Sequence, residues 1–246
     1  MSKKKIILIW FLCLSPFVGV FTIMYLTTLG VFGTLPSFDQ LENPKSNLAT
    51  IVYSADGIIL GEYYYENRSN VKYPEISEHL IHALISTEDI RFNDHSGIDI
   101  RSLFRAVFGV FVGKKSGGAS TITQQLSKML FTDRPASGVE RVQQKLKEWV
   151  VAVRLEERYS KNEILTMYLN RFDWINQAVG LKSAAKIYFN TTPDKLTIPQ
   201  AAMLVGMLKN PSLYNPKKGR NPEGTLNRRN VVLSQMKKNN KITQHQ

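Results

Sequence analysis

The chain has 246 residues, of which 43% are apolar, so it can bury a core and is not a disordered polymer. Its 32 Lys and Arg side chains against 20 Asp and Glu give a net charge of +12, which indicates an anionic partner without choosing among nucleic acid, lipid headgroups and pyrophosphate. Cys13 is the only cysteine, which excludes a disulfide or a cysteine-based metal site within one chain.

The first feature along the chain is a run without charged side chains between residues 6 and 38, preceded by three lysines at residues 3–5. The run exceeds the roughly 20 apolar residues that span a bilayer, and the lysines place the N-terminus in the cytoplasm. A cleaved signal peptide is the alternative, but no small-x-small cleavage site follows. We therefore expect a cytoplasmic tail over 1–5, a transmembrane anchor over 6–35, a linker over 36–48 and a globular domain over 49–246.

The globular part begins with a short β-hairpin and continues as helices. Two β-rich runs flank Asp56-Gly57, which is a typical hairpin turn. Residues 76–88 have a helical apolar period that ends near Glu88. Capping boxes at Ser160–Glu163 and Thr197–Gln200 predict two further helix starts, and residues 226–240 predict a last helix. The fold class is therefore mainly α.

Two adjacent acids, Glu88 and Asp89, follow the first of these helices, and His95 comes close behind. A carboxylate at a helix end beside apolar walls can be tuned by desolvation to act as a general acid or base. The alternative is a solvated acidic turn, and a histidine alone is more often a structural hydrogen-bonding group than a catalyst.

A glycine pair at residues 117–118 leads into a helix start rich in hydroxyls and amides. Free backbone N–H groups and the helix dipole make such a junction an anion site, which Thr121 would cap and Lys128 would supplement two turns later. An ordinary capped helix is the alternative, and the absence of Gly-Lys-Ser/Thr after the glycines excludes a P-loop. The polar residues on this side of the helix are Ser120, Thr121, Gln124, Gln125 and Lys128.

The segment from Arg141 to Glu156 has two faces when drawn as a helix. Lys145 and Glu148 are neighbours at i and i+3, on the side that carries Arg141. They form either a surface ion pair or a charged face for an anionic leaving group. An apolar stripe occupies positions 142, 146, 149, 150 and 153.

In order, these segments resemble the motifs of the peptidoglycan glycosyltransferase family, the module that polymerises lipid II. The first motif is similar to EDIRFNDHSG, the second to GGASTITQQLSKMLF and the third to QKLKE. KNEILTMYLN and AAMLVGMLKNPSLYNP resemble the fourth and fifth. The layout, with the hairpin and the closing RRNVVLSQMKKNNKIT segment, resembles the N-terminal half of a class A penicillin-binding protein.

The chain departs from the family pattern at two positions. Gln144 stands where the family usually has arginine, and either Arg141 or Arg134 is expected to compensate for the missing charge. Ile175 stands where a glycine is usual, which puts the local loop geometry in doubt. A Ser-x-x-Lys sequence at Ser183–Lys186 has no accompanying Ser-x-Asn or Lys-Thr-Gly, so no transpeptidase site is expected. The chain is expected to be either a truncated module or a natural monofunctional form.

The resemblance implies a lysozyme-like α domain with a small membrane-associated jaw. Lipid II would be the acceptor and the growing lipid-linked glycan the donor. Glu88 would be the general base on the acceptor 4-hydroxyl, Asp89 would support it, and Glu148 would act at the pyrophosphate directly or through Mg²⁺ or Mn²⁺. Undecaprenyl pyrophosphate would leave with inversion. The substrate-binding residues implied are Asp89, Ser120, Thr121, Gln124, Gln125, Lys128, Arg141 and Lys145.

Residues 104–115 are apolar with a basic end, so they are expected to lie in the bilayer interface, where the lipid substrate is found, the alternative being a buried core helix. The resemblance places the protein in the bacterial cytoplasmic membrane with its catalytic domain on the periplasmic side. Transpeptidases and division or elongation proteins are expected partners, and nucleic acid is not. A membrane-anchored glycan-cleaving enzyme of lysozyme-like fold and an inactive scaffold are the alternative functions.

Overall fold

The structure is a computed structural model that describes residues 3–31, 35, 50–56, 59–63, 70–113, 118, 120–131, 135, 137–217 and 221–244. The predicted linker, the glycine at position 117 and Arg134 lie outside the described residues.

The first described element is the helix α1, Lys3–Thr28. Within the described part of the chain, no helix combines the length and the apolar character needed to cross a bilayer. The anchor over residues 6–35 therefore stays a prediction. A β-hairpin follows, in which β1 (Thr50–Tyr53) pairs antiparallel with β2 (Ile59–Tyr63), as the sequence around Asp56 predicts.

The rest of the described chain is helical, which confirms the mainly α class. Short 3₁₀ turns lie between the longer helices, at Tyr73–Glu75, Phe92–Asp94 and Pro193–Lys195. The longer helices are α2 (Glu78–Glu88), α3 (Ile100–Phe111), α4 (Ile122–Phe131), α5 (Gly138–Arg158), α6 (Lys161–Arg171), α7 (Leu181–Phe189), α8 (Ile198–Leu208) and α9 (Pro222–Lys238).

Local capping explains why two of these helices begin where the sequence predicts. The backbone N–H of Ser160 donates to Oε2 of Glu163 at 2.8 Å, and the N–H of Glu163 donates back to the Ser160 hydroxyl at 3.4 Å. The N–H of Thr197 donates to Oε1 of Gln200 at 3.0 Å at the start of α8. These bonds satisfy backbone donors that a helix start leaves without partners.

The core forms where α2, α8 and α9 pack on one another and where α4 packs on α5 and α6. Trp174 joins the two groups, because its ring is fully buried and its Nε1 donates to the carbonyl of Leu204 in α8 at 3.0 Å. The large side chains with no exposed surface include Leu80, Leu84, Phe92, Ile122, Leu126, Leu155, Ile164, Tyr168 and Leu169.

Gly97, in the loop after Phe92–Asp94, lies between α4 and α5 and contacts both helices. Its φ is +87°, and a Cβ at this position would lie 2.8 Å from the carbonyl carbon and oxygen of Ala152, so only glycine fits. The carbonyl of Gly97 accepts hydrogen bonds from Thr121 Oγ1 at 2.7 Å and from Gln124 Nε2 at 3.3 Å. This loop therefore sets the spacing of the two helices.

The close contact at Ala152 decides which side of α5 faces the core. The apolar stripe predicted on α5 is exposed at its start, where Val142 is 62% exposed, and buried further along, where Val150 is 5% exposed. The side that carries Glu148 and Ala152 is buried as well, at 5% and 0% exposure. Ala152 lies against Gly97, so the narrow polar face packs inward on α4.

The helix α3 carries an apolar stripe that points outward. Ile100, Phe104 and Phe108 follow one another at steps of four and are 61%, 57% and 69% exposed. Val112, one further step along, is also exposed. The alternative of a buried core helix is therefore wrong for this stripe.

The loop that contains the second departure adopts a left-handed backbone without glycine. Ile175, Asn176 and Gln177 have φ of 56°, 54° and 64°. A β-branched residue is strained in this region. The N–H of Ile175 donates to Oδ1 of Asp173 at 2.7 Å, and Asn176 Nδ2 donates to the Tyr188 hydroxyl at 3.1 Å, so side chains on both sides hold the turn.

Candidate active site

Glu88 is the last residue of α2, and its two carboxylate oxygens have different neighbours. Oε2 accepts a hydrogen bond from Gln125 Nε2 at 3.0 Å. Oε1 lies 3.7 Å from Nη2 of Arg228. The side chain is 17% exposed, so it is held by protein on most sides and is still open to a ligand.

The side-chain amide of Gln125 is held by a hydrogen bond from the buried Tyr168. The Tyr168 hydroxyl donates to Oε1 of Gln125 at 3.0 Å, which turns the amide N–H₂ towards Glu88. Burial and the negative charge of Glu88 raise the pKa of Tyr168 well above its usual value. The phenol therefore keeps its proton and stays a donor to Gln125.

Asp89, the residue after Glu88, is buried and makes hydrogen bonds within the protein. It is 6% exposed, and its Oδ2 accepts the N–H of Ile122 at 3.0 Å, at the start of α4. His95 Nε2 lies 3.1 Å from both carboxylate oxygens. Asp89 therefore ties the end of α2 to the start of α4 and holds His95 in place.

The predicted anion site at the start of α4 is thus partly filled by the protein itself. The carboxylate of Asp89 takes the first N–H of the helix, and Thr121 Oγ1 accepts the N–H of Gln124 at 3.1 Å as the predicted cap. The positive charge that remains for a ligand comes from side chains on α4 and α5.

Lys145 is the centre of a polar cluster that joins these two helices. Its Nζ donates to Ser120 Oγ at 3.0 Å, to Gln124 Oε1 at 3.2 Å and to Glu148 Oε2 at 2.9 Å. An ammonium group has three N–H donors, so each is matched by an acceptor. The Glu148 side chain is 7% exposed and that of Lys145 is 37% exposed, so this ion pair is more than a solvated surface contact.

A cleft of about 1210 Å³ brings most of the predicted site residues together. Its lining carries three cationic side chains, Lys128 from α4 and Arg141 and Lys145 from α5, together with Glu148. Thr121, Asp89 and Glu88 do not line this cleft; the first two are buried, at 1% and 6% exposure, and Glu88 is bonded to Gln125, which does line it. The predicted residues that line the cleft are Ser120, Gln124, Gln125, Lys128, Arg141, Lys145 and Glu148.

Sequence reasoning missed several parts of this site. Tyr168 and Arg228 lie within predicted helices, but no local pattern connects them with Glu88. Trp149, which was missed as well, lines the cleft beside Gln144, the departure noted in the sequence. The Trp149 Nε1 and Gln144 Nε2 donors are buried and have no hydrogen-bond partner within the described part of the chain. The neutral amide of Gln144 thus occupies the wall where the family pattern has a cation, and Arg141 lies on the same wall.

Glu148 is the one carboxylate among the residues that line the described cleft. Among the described residues, no three His, Cys, Asp or Glu side chains are grouped as metal ligands. One oxygen of Glu148 is bound by the Lys145 ammonium. A Mg²⁺ or Mn²⁺ ion at Glu148 would take its other ligands from water and a phosphate-bearing ligand, so its participation stays a prediction.

Comparison with known proteins agrees with this arrangement. A family model described as Transglycosylase matches residues 56–237. Penicillin-binding protein 1A of Escherichia coli strain K12 is 38% identical over 213 residues, which are 86% of this chain and 24% of that protein. The corresponding protein of Neisseria lactamica is 39% identical over 230 residues, 93% of this chain and 28% of the relative.

Penicillin-binding protein 1A of Pseudomonas aeruginosa is 34% identical over 234 residues, 94% of this chain and 27% of that protein. The chain therefore spans about a quarter of the length of the curated relatives it matches. The match covers the hairpin turn, the cleft and α9 up to Lys237, so it includes all the site residues described above. The chain belongs to the transglycosylase family, which confirms the peptidoglycan glycosyltransferase module that its motifs predict.

Proposed function

We propose that the chain polymerises lipid II into linear β-1,4-linked glycan strands by inverting glycosyl transfer, with release of undecaprenyl pyrophosphate. The observation that carries the proposal is that two consecutive residues of α4 bind two different charged groups, the carboxylate of Glu88 and the ammonium group of Lys145. Gln125 donates to Glu88, and Gln124 accepts from Lys145, which also binds Glu148. One turn of helix thus supports a carboxylate base and a cationic leaving-group site, the two groups that this reaction needs.

Glu88 is the base in this proposal. Gln125 occupies Oε2, and Oε1 keeps a lone pair that can accept the proton of the acceptor 4-hydroxyl. As the proton moves to Oε1, the acceptor oxygen forms its bond to the anomeric carbon of the donor. The bond from that carbon to the pyrophosphate oxygen breaks on the opposite face, which gives inversion.

The charge that develops on the leaving pyrophosphate is met by Lys128, Arg141 and Lys145, all of which line the cleft. Preorganised cations stabilise such charge because they need no reorganisation during the reaction. Glu148 acts through Lys145, whose ammonium group it holds at 2.9 Å beside the pyrophosphate. The Gln144 amide supplies a neutral donor beside these cations.

The substrate is a lipid, and the surface of the domain fits a bilayer interface. The exposed stripe of Ile100, Phe104 and Phe108 lies beside the exposed Arg101 and Arg105 of the same helix. An apolar face flanked by basic residues is typical of helices that lie in the headgroup region. We place the domain on the periplasmic side of the bacterial cytoplasmic membrane, held by the apolar residues 6–35 of a single-pass anchor.

The main competing activity is glycan cleavage by a lysozyme-like enzyme, which needs an acid but no pyrophosphate site. The three cations on the wall of the cleft favour transfer over cleavage. Transpeptidases and division or elongation proteins stay predicted partners.

The test is to incubate the purified full chain, in detergent or vesicles, with fluorescent lipid II and, separately, with polymeric peptidoglycan. We expect a ladder of glycan polymers from lipid II and no soluble fragments from peptidoglycan. Fragment release without polymer would replace the proposal by the hydrolase, and neither product would indicate the scaffold. A parallel reaction with EDTA, followed by added Mg²⁺, tests the metal question. A loss of polymer that Mg²⁺ restores would assign a cation to Glu148 and the pyrophosphate, and an unchanged yield would leave that charge to Lys128, Arg141 and Lys145.

A further inference from the structure

The last helix of the domain brings a charged side chain into the core region, outside the motifs that were assigned a role. On α9, Thr225, Val232 and Met236 are buried, and Arg228 lies on the same side at one turn from Thr225 and Val232. The Arg228 side chain is only 14% exposed. A guanidinium group with so little exposure needs hydrogen-bond or ion-pair partners, because burying an unpaired charge costs free energy.

Two contacts hold this guanidinium group. The Arg228 Nε donates to the carbonyl of Gly206 in α8 at 3.4 Å. A Cβ at position 206 would lie 3.4 Å from Cγ of Arg228 and 3.6 Å from its carbonyl carbon, so α8 and α9 are within van der Waals contact at this point. The Gly206 carbonyl thus holds Nε of Arg228, and the terminal nitrogens Nη1 and Nη2 do not take part in this hydrogen bond.

The other contact is to Glu88. The distance of 3.7 Å between Nη2 and Oε1 is too long for a good hydrogen bond, but it is short for two opposite charges that are 14% and 17% exposed. Gln125 hydrogen-bonds the other oxygen. The cation therefore attracts Oε1 without using the lone pair that Oε1 needs to accept a proton.

We propose that Arg228 is a positioning residue for Glu88, which holds the carboxylate in place and aims Oε1 at the acceptor hydroxyl. The inference rests on the proposed function, since it assigns a role beside the base of that reaction. Arg228 acts through Glu88 and not through the substrate. Its loss therefore lowers the rate of the chemical step and leaves lipid II binding unchanged.

The test compares three variants of the full chain in the lipid II polymerisation assay: Arg228→Gln, Arg228→Lys and Arg229→Gln. Arg229 is the matched control, because it is the next residue of α9 and its guanidinium binds the exposed Asn230 at 3.0 Å. We expect Arg228→Gln to lower kcat roughly 10- to 100-fold with KM for lipid II within about threefold. Arg228→Lys should recover part of the loss, and Arg229→Gln should match the wild type.

Thermal unfolding of each variant separates positioning from folding. The proposal expects that Arg228→Gln and Arg228→Lys unfold at similar temperatures and differ in kcat. It is overturned if Arg228→Gln keeps kcat within twofold of the wild type, if its loss is in KM, or if both variants lose kcat in proportion to the folded protein. A wild type that makes no polymer contradicts the proposed function itself, whereas an active wild type with an equally active Arg228→Gln variant contradicts only this inference.

Discussion

Nε2 of Gln125 lies 3.0 Å from Oε2 of Glu88, although the two residues are 37 positions apart in the sequence and belong to different helices. Behind this contact, the Tyr168 hydroxyl holds the other end of the same amide at 3.0 Å. The carboxylate is thus oriented by a chain of two hydrogen bonds that starts in the core of the domain. Such preorganisation is what a general base requires, because its oxygen must lie within hydrogen-bond reach of the acceptor hydroxyl.

The first prediction concerns this chain of hydrogen bonds. Tyr168→Phe should lower kcat roughly tenfold, since the Gln125 amide loses the donor that turns it towards Glu88. It should also lower the free energy of unfolding by about 1–2 kcal/mol, because Oε1 of Gln125 loses its partner. Polymerisation kinetics and thermal or denaturant unfolding measure the two effects.

The control for this variant is Tyr188→Phe. The Tyr188 hydroxyl donates to the carbonyl of Trp174 at 2.6 Å, in a loop away from Glu88. This variant should lose stability and keep the wild-type kcat. Equal kcat losses in the two variants would mean that the Tyr168 effect is not specific to Glu88.

The second prediction concerns the Lys145 cluster. Lys145→Ala should lower the rate roughly 10²- to 10³-fold, because a preorganised cation is lost from the leaving-group site. It should also destabilise the fold by about 1–3 kcal/mol, since the Glu148 carboxylate stays buried without its cation. Lys147→Ala, two positions further along α5, is the control and should be close to the wild type. An active Lys145→Ala variant would remove Lys145 from the leaving-group site.

The third prediction concerns the strained loop. Ile175 has a φ of 56°, which is costly for a β-branched residue and free of strain for glycine. Ile175→Gly should therefore raise the free energy of unfolding by about 1 kcal/mol, with little change in activity. Ile175→Ala keeps the strain and should give no such gain, so a gain of equal size in both variants would argue against the strain explanation.

The fourth prediction is a pH dependence of stability. Asp99 is 6% exposed, and burial alone would raise its pKa, but hydrogen bonds from Ser102 and Arg91 outweigh burial and lower the pKa to about 2. A carboxyl group whose pKa is lower in the folded state stabilises the fold above its unfolded pKa and loses this effect as the pH falls. The contribution of about 2 kcal/mol should thus be complete above pH ~4 and lost between pH ~4 and ~2.

The variant Asp99→Asn measures this contribution directly. Denaturant unfolding at neutral pH should find it about 2 kcal/mol less stable than the wild type, and the two proteins should converge near pH ~2. A difference that does not change with pH would show that the loss comes from packing and not from the charge of Asp99.

Local patterns in the sequence account for much of the fold. The alternation of β-rich runs around Asp56, the period that ends at Glu88 and the capping boxes at Ser160 and Thr197 all depend on residues a few positions apart. The structure confirms each of these elements. The i and i+3 spacing of Lys145 and Glu148 likewise predicts their contact, because a helix makes them neighbours.

The remainder depends on contacts between segments that are distant in sequence. No local pattern shows that the carboxylate at the start of α4 is that of Asp89, or that Arg228 reaches Glu88 from the last helix. The exposure of Val142 has the same origin, because the packing of Ala152 on Gly97 decides the orientation of α5. These features follow from tertiary packing, which the period of a single helix does not contain.

The role of Glu88 as the base of glycan polymerisation is tested by the variant Glu88→Gln. The glutamine keeps the shape of the side chain and cannot accept the proton. Glu78→Gln, at the exposed start of the same helix, is the control. Polymer formation from lipid II is measured together with binding of lipid II to each protein. We expect Glu88→Gln to bind lipid II within about threefold of the wild type and to make no polymer, while Glu78→Gln is active. If Glu88→Gln forms polymer at the wild-type rate, Glu88 is not the base.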